Sequence, residues 1–517
     1  MTHPVARDRV VIVGAGIGGL TAALGLAVRG CDVTVLERGP TPGGKLREIE
    51  VAGRRIDAGP TVMTMRWVFD EIFADAGTTL DAHLDLQPLD ILARHYWGDH
   101  PPLDLFADEQ RTTDAIGRFA GAREAQGYTQ FCARARSIFE TLDAPFMRAS
   151  QPSMLRLVTD VGFKRPAALF GIEPFSTLWG SLGSYFADPR LRQLFARYAT
   201  YCGSSPFLAP ATLMLIAHVE RLGVWSVTGG MHRIAVALAD LATARGARFR
   251  FCAHVSRIVT GSGRVSGVIL ADGTRIDADT VVFGGDVAAL GSGLLGPAVT
   301  RAARATKIKE RSLSAFTIAA VADAGTFPLT RHSVFFSNDT RAEFRDISGA
   351  ERLPTDPTVY VCAQDRDGTT GAPSATPERL FCIVNAPARG DTAPPSPEEI
   401  ERCKTTTCRT LARSGLRFTM HPDTTAITTP TDFARLFPAT GGALYGMASH
   451  GWRASFQRPT AKSRVPGLYL VGGSVHPGPG VPMAAMSGRL AASRIMQDLA
   501  SMRRSIPAAM PGGILTR

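Results

Sequence analysis

An α/β fold organised around a dinucleotide-binding unit is predicted by three features of the 517-residue chain. Residues 9–13 (RVVIV) form a short apolar, β-branched run that leads directly into a glycine cluster and a helix-like stretch. A second such run, residues 32–36 (DVTVL), ends in an acid, Glu37. Far downstream, residues 467–499 repeat the order of strand, Gly/Pro-rich turn and helix.

At roughly 100–200 residues per domain the chain holds two or three modules. Hydrophobic residues make up 45% and charged residues 20%, which excludes a disordered chain, a collagen-like chain and a disulfide scaffold. The net charge is +11, and only six of the 57 basic residues are Lys. Such a surplus favours anionic partners (nucleic acid, anionic lipid or phosphate-bearing ligands), and a coding bias accounts for its being nearly all Arg. No nucleic-acid-binding motif accompanies it. The best apolar run, residues 207–217, is too short to span a bilayer and contains Pro210. The N-terminus has no apolar signal region, so a cytoplasmic location or the cytoplasmic membrane face is expected. The eight Cys are scattered with no C-x-x-C, and no His accompanies the close pair Cys403 and Cys408; free thiols and no metal site are expected.

The helix after the first strand is read over residues 20–29 and stops at Gly30. Later strands are read at 249–258, 265–270 and 275–283, with a hairpin at Ser262-Gly263 and a terminal Gly284-Gly285-Asp286. The last strand is placed at 468–471 and the last helix at 483–499. Between these modules lie two larger stretches. The first is aromatic-rich; the second contains strands at 359–363 and 380–384.

Gly14-Ala15-Gly16-Ile17-Gly18-Gly19 is a G-x-G-x-x-G motif in the context that gives it meaning. Gly14 lets the chain turn off the strand, Gly16 lets backbone approach a pyrophosphate, and Gly19 lets the helix pack on the sheet. The helix N-terminus offers unpaired N–H groups and a positive dipole end to phosphate. Glu37, about 20 residues on, would accept ribose hydroxyls and repel a 2′-phosphate.

Glu37-Arg38, then Pro42-Gly43-Gly44-Lys45-Leu46 and Asp57-Ala58-Gly59-Pro60-Thr61, depart from a plain NAD domain. This pattern resembles the flavoprotein family of amine oxidases, phytoene desaturases and protoporphyrinogen oxidase. The resemblance implies FAD, held by backbone at Gly14, Gly16, Gly18, Gly19, Gly44, Gly59, Pro60 and Thr61, with Glu37 and Arg38 at the ribose end. Lys45 stands where Arg is common in the family and would act as a point charge. Val255 lies on the strand that contacts adenine in that family. The block LYLVGGSVHPGPGVPM implies contacts from Gly473, Val481, Pro482 and Met483 to the ribityl chain and isoalloxazine. There a helix N-terminus would stabilise charge at N1 and the C2 carbonyl. Ser474 departs from the acid many flavoproteins place nearby.

Taken with WSVTGGMHRIAVAL at 225–238, the two ends resemble bacterial carotenoid desaturases along essentially the whole chain. Internal stretches such as HSVFFS, DPTVYVCAQDR, LFCIVNAP and LFPATGGALY resemble the 1-hydroxycarotenoid 3,4-desaturase branch. The implied fold is a two-dinucleotide-binding-domain flavoprotein with a mixed α+β substrate domain. FAD-binding segments are expected at 1–84, 216–290 and 459–517, and substrate segments at 85–215 and 291–458. The implied reaction places a C3–C4 double bond in a 1-hydroxy or 1-methoxy carotenoid, with quinone or oxygen as final acceptor. Rival readings are a phytoene desaturase, an amine or porphyrinogen oxidase, and a flavin-free prenyl-binding chaperone. His476, beside the flavin turn, is placed either to relay a proton or to serve the turn structurally; His332 and Arg453 are weaker candidates. The aromatic stretch 163–201 reads as a substrate tunnel and membrane-contact face or as plain core. Arg156, Lys164 and Arg165 near it suit lipid headgroups, and peripheral membrane attachment is expected. Oligomeric state is not legible.

Overall fold

The computed structural model describes residues 8–152, 173, 175–367, 372–373, 375–451 and 453–505. Arg156, Lys164, Arg165 and the first part of the aromatic stretch lie outside the described residues.

A five-stranded parallel sheet forms one layer, in the order Leu468–Leu470, Thr280–Phe283, Arg9–Val13, Asp32–Leu36 and Arg248–Arg250. The central strand is RVVIV, whose middle residues are buried on both faces, as a parallel sheet covered by helices requires. The helix Ile17–Val28 is nearly all Gly, Ala, Leu and Ile and is buried on almost every side. It packs between the helix Arg233–Ala244 and the C-terminal helix Val481–Ser505. The beginning, the middle and the end of the chain thus meet in one layer.

Two strands read as continuous are each split in two. Residues 249–258 divide into Arg248–Arg250, which extends the parallel sheet, and Val255–Gly261, which starts a separate antiparallel sheet. The break falls at Cys252, which has a left-handed φ of 55°. Residues 275–283 divide likewise into Arg275–Asp277 in the antiparallel sheet and Thr280–Phe283 in the parallel one. The hairpin at Ser262-Gly263 is present, both residues having positive φ. The C-terminal helix begins at Val481, two residues earlier than read, and runs on to Ser505.

The second layer is a seven-stranded sheet with one parallel pair, His332–Phe335 beside Ile91–Tyr96. Its strands come from residues 91–106 and 314–428, so two distant stretches build one sheet. The strands read at 359–363 and 380–384 lie within it, as Val359–Ala363 and Glu378–Ala386. Inside the fold the buried Arg366 forms a forked pair with Glu378 at 2.6 and 2.7 Å. Against the sheet pack helices including Ala122–Leu142, Leu178–Tyr185 and Pro189–Ala196. Phe131, Phe186 and Phe195 form their aromatic core. This part of the aromatic stretch is core.

Candidate active site

A cavity of about 1230 Å³ runs from the end of the parallel sheet into the space between sheet and helices. It exceeds the roughly 300–1,000 Å³ of an ordinary small-molecule site, so a dinucleotide and a second ligand fit together.

At one end the chain turns off the central strand at Gly14, whose φ of +99° favours glycine. The N-terminus of the following helix has Gly16 as its cap and no side-chain capping bond, which leaves its amides for a phosphate. A Cβ at Gly16 would meet nothing within 4 Å, so the protein leaves open the space a pyrophosphate needs. The Glu37 carboxylate accepts from the Ala15 amide (2.7 Å) and the Gly39 amide (2.8 Å). It is thereby oriented beside the glycine turn, with lone pairs left for ribose hydroxyls. Arg38, Gly44 and Val255 line the same end.

Lys45 is enclosed; its Nζ donates to the Leu444 carbonyl at 2.7 Å and lies 5.2 Å from the Phe437 ring centre. Burial pushes its pKa below the usual range, while Asp286 opposes that shift. Gly59, Pro60, Thr61, Gly473, Val481, Pro482 and Met483 surround the next part of the cavity. The C-terminal helix therefore points its N-terminus into the site. Ser474 bridges the turn to the middle of the chain by accepting from the Val287 amide at 3.2 Å.

Gly19 and His476 do not line the cavity. A Cβ on Gly19 would stand 2.2 Å from the Gly14 carbonyl oxygen, so its part is to close the helix onto the strand. His476 has its Nε2 on the Ala149 carbonyl at 2.9 Å and its ring edge-on to Phe146. Burial pushes its pKa down to about 4. His332 is likewise buried off the wall, bonded to the Tyr360 hydroxyl, and Arg453 is exposed and also off the wall.

Local pattern gave no sign of several polar groups on the wall. Asp286 accepts from the Ala288 amide through Oδ1, while its buried Oδ2 has no partner. Arg458 is buried and donates to the carbonyls of Tyr445 (3.1 Å), Gly473 (3.2 Å) and Met447 (2.7 Å). An unmet carboxylate oxygen, two enclosed cations, open space at Gly16 and two helix N-termini suit a polar, anionic, hydroxyl-bearing dinucleotide. The residues present fit FAD. Deeper in, Leu213, Ile216, Val219, Phe381 and Ile383 make an apolar wall. No group of His, Cys, Asp and Glu able to hold a metal occurs among the described residues.

Comparison with known proteins agrees with this geometry. Residues 17–496 match the profile of the flavin containing amine oxidoreductases. The chain is 54% identical to a hydroxyneurosporene desaturase of Rubrivivax gelatinosus over 518 aligned positions, covering 100% of this chain and 98% of the relative. It is 46% identical to the Cereibacter sphaeroides protein of that name (96% and 99% covered). To a 1-hydroxycarotenoid 3,4-desaturase of Flavobacterium it is 31% identical (94% and 99% covered). Among solved structures, an oxidoreductase from Methanosarcina mazei superposes with a TM-score of 0.61 at 16% identity, covering 95% of this chain and 100% of the other. A putrescine oxidase does so with 0.58 at 14% identity, covering 96% and 100%. The chain belongs to the flavin-containing amine oxidoreductase family, in its carotenoid desaturase branch, and is an FAD-dependent oxidoreductase.

Proposed function

We propose that this enzyme forms the C3–C4 double bond of a 1-hydroxy or 1-methoxy carotenoid such as hydroxyneurosporene. The full-length 54% identity to a hydroxyneurosporene desaturase carries this reading. The cavity supports it, since one continuous space joins the dinucleotide end to an apolar passage.

In this reading Glu37 holds the ribose, Val255 the adenine, and the Gly14, Gly16 and Gly18 backbone the pyrophosphate, with Lys45 as a nearby point charge. Arg38, Gly44, Gly59, Pro60, Thr61 and Gly473 complete the cradle, and Val481, Pro482 and Met483 face the ring. Segments 1–84, 216–290 and 459–517 form the FAD domain, and 85–215 with 291–458 the substrate domain.

FAD held by these residues would supply a two-electron acceptor, so that the C3–C4 bond could lose a hydride from one carbon and a proton from its neighbour. The protein's share is orientation and water exclusion. The N-terminus of the helix Val481–Ser505 favours negative charge beside the ring, and the apolar wall holds the polyene. Because the conjugated chain delocalises developing positive charge, no strong base is needed. His476 serves the turn, since its ring faces Ala149 and Phe146. Quinone or oxygen would serve as the final electron acceptor.

The test is to give the purified holoenzyme 1-hydroxyneurosporene in liposomes and follow the pigment spectrum and product mass. A red shift with loss of two hydrogens is expected; conversion of phytoene alone would move the enzyme to another branch.

We also propose peripheral attachment to the inner membrane from the cytoplasmic side. No described helix is long and apolar enough to cross a bilayer. Phe175, 79% exposed, lines the cavity at its outer end, and Leu208 is also exposed. Together with the net charge of +11 they suit an anionic surface. The protein is expected to float with anionic vesicles at low salt and to release at high salt; remaining wholly at the bottom of the gradient would refute attachment.

A further inference from the structure

Polar side chains interrupt the apolar passage beside Thr61. The Tyr201 hydroxyl donates to Glu220 Oε1 and the Tyr198 hydroxyl to Oε2, both at 2.7 Å. Arg197 Nη2 donates to the Tyr201 oxygen at 3.2 Å. The guanidinium carbon lies 5.3 Å from the centre of the Tyr201 ring and 5.9 Å from that of Tyr360. The Tyr360 hydroxyl in turn meets Thr61 Oγ1 at 2.6 Å and His332 Nδ1 at 2.7 Å. Arg197, Tyr201, Glu220, Tyr360 and Thr61 all line the cavity.

Arg197 Nε is buried and has no partner. A guanidinium carries five N–H donors and no acceptor, and among the described residues this one spends a single donor, on the Tyr201 hydroxyl oxygen. Glu220, which stands behind Tyr201, balances its charge. The cluster is therefore close to neutral overall and rich in unused donors. Such a site takes a neutral oxygen acceptor in preference to an anion, and leaving its donors empty is unfavourable.

Position narrows the ligand. Thr61 follows Gly59-Pro60 in the proposed FAD cradle, and the contact through Tyr360 places Arg197 a short way beyond. In a 1-hydroxy or 1-methoxy carotenoid the oxygen is three bonds from C3, about 4 Å away. A bond presented to the flavin must therefore bring that oxygen close by.

We propose that Arg197, steadied by Tyr201 and Glu220, donates a hydrogen bond to the oxygen at C1 of the carotenoid and thereby sets which carbon–carbon bond meets the flavin. This rests on the desaturase reading above. Arg197 is a specificity-determining residue, and Tyr201 and Glu220 position it. Since the oxygen acts as acceptor, a methoxy end group serves as well as a hydroxyl.

The test compares the holoenzyme with Arg197→Met, Arg197→Lys and Tyr201→Phe on three liposome-borne substrates: the 1-hydroxy carotenoid, its 1-methoxy ether, and the same carotene without oxygen. Flavin absorbance per chain is measured first. Carotenoid binding is then followed by quenching of tryptophan fluorescence, and turnover as kcat/KM. The wild type is expected to handle hydroxy and methoxy forms within threefold of each other and the carotene at least tenfold less well. In Arg197→Met that preference collapses at least tenfold in both binding and kcat/KM, with the carotene unchanged within twofold. Arg197→Lys recovers part of it, and Tyr201→Phe loses about threefold while keeping its flavin. An equal fall on all three substrates, or an intact preference in Arg197→Met, would overturn the assignment. Should Arg197→Met fail to fold, an unaltered preference in both Tyr201→Phe and Arg197→Lys would overturn it as well. A wild type that binds and converts only the carotene would instead overturn the underlying functional reading.

Discussion

Gly488→Val is expected to cost the purified protein at least nine-tenths of its flavin and to destabilise it by about 3 kcal/mol or more, at the upper end of overpacking effects. A Cβ at position 488 would stand 2.3 Å from the Gly18 carbonyl oxygen, 2.9 Å from the Ala22 nitrogen and 2.9 Å from the Thr21 Cβ. The contact is reciprocal, since a Cβ on Gly18 would lie 2.7 Å from the Gly472 nitrogen and 3.1 Å from the Ala484 carbonyl. Most of these neighbours are backbone, so no rotamer change relieves the clash. Nor is the closing helix free to slide. Arg489 pairs with Asp75 at 2.8 Å and with Glu71, and Asp498 accepts from the Tyr469 hydroxyl at 2.7 Å. A valine must displace either the helix Ile17–Val28 or the Gly472–Pro482 turn, and both line the cofactor end of the cavity. Flavin absorbance per chain and the thermal midpoint check this. Gly349→Ala, where a Cβ would meet nothing within 4 Å, is the control. A yellow, normally stable Gly488→Val would refute the tight seam between the chain's two ends.

That seam shows why the ends of the chain were legible. Where backbone must approach backbone or phosphate, only glycine serves, so Gly14, Gly16 and Gly18 mark the site within a few residues of sequence. The middle of the chain leaves no such mark. The strand Ser314–Ala322 (SAFTIAAVA) is buried at every position and has no period-two alternation to set it apart from a buried helix. Hydrophobic pattern also ran two sheets together at 249–258, because nothing in it announces the left-handed Cys252. The wall cluster is less visible still. Arg197, Glu220, Tyr360 and Thr61 come from four separate segments, and Asp286 and Arg458 from two more; only the fold assembles them. His476 stayed open between two roles for the opposite reason. Its neighbours Pro477 and Gly478 line the cavity while its own ring turns away to Ala149.

Stability is expected to fall as pH drops from 7 to 4, most steeply below pH 5, and buried histidines set the slope. Burial pushes His95 and His332 down to about 3 and His476 down to about 4, with the nearby cation Arg197 adding to the effect on the first two and Arg458 on the third. All three are neutral in the folded protein at pH 7 but take protons near 6.5 once unfolded. The unfolded chain therefore binds more protons below pH 6.5, and stability is lost as pH falls from there toward the folded values. At about 1.4 kcal/mol per pKa unit, each histidine costs roughly 2 kcal/mol at pH 5, or about 6 for the three. Glu343 works the other way. Burial raises its carboxyl to about 7, above the usual 4.5, so its folded form takes up a proton first and gains stability as pH falls from 7 to 4.5. That gain offsets about 3 kcal/mol at pH 5 and is complete near 4.5, while the histidines go on titrating. The net loss is then about 3 kcal/mol at pH 5 and about 7 at pH 4, within the 5–15 kcal/mol of total stability typical of a folded protein. Urea midpoints of the holoenzyme at half-unit pH steps would show a shallow decline above pH 5 and a steep one below it. His95→Phe keeps a ring beside Trp97 and Phe336, gives up one bond to the Leu103 carbonyl, and should flatten the steep limb by about a third. Midpoints level from pH 7 to pH 4 would mean that these imidazoles are hydrated in the native protein and that the closely packed interior described for them is wrong.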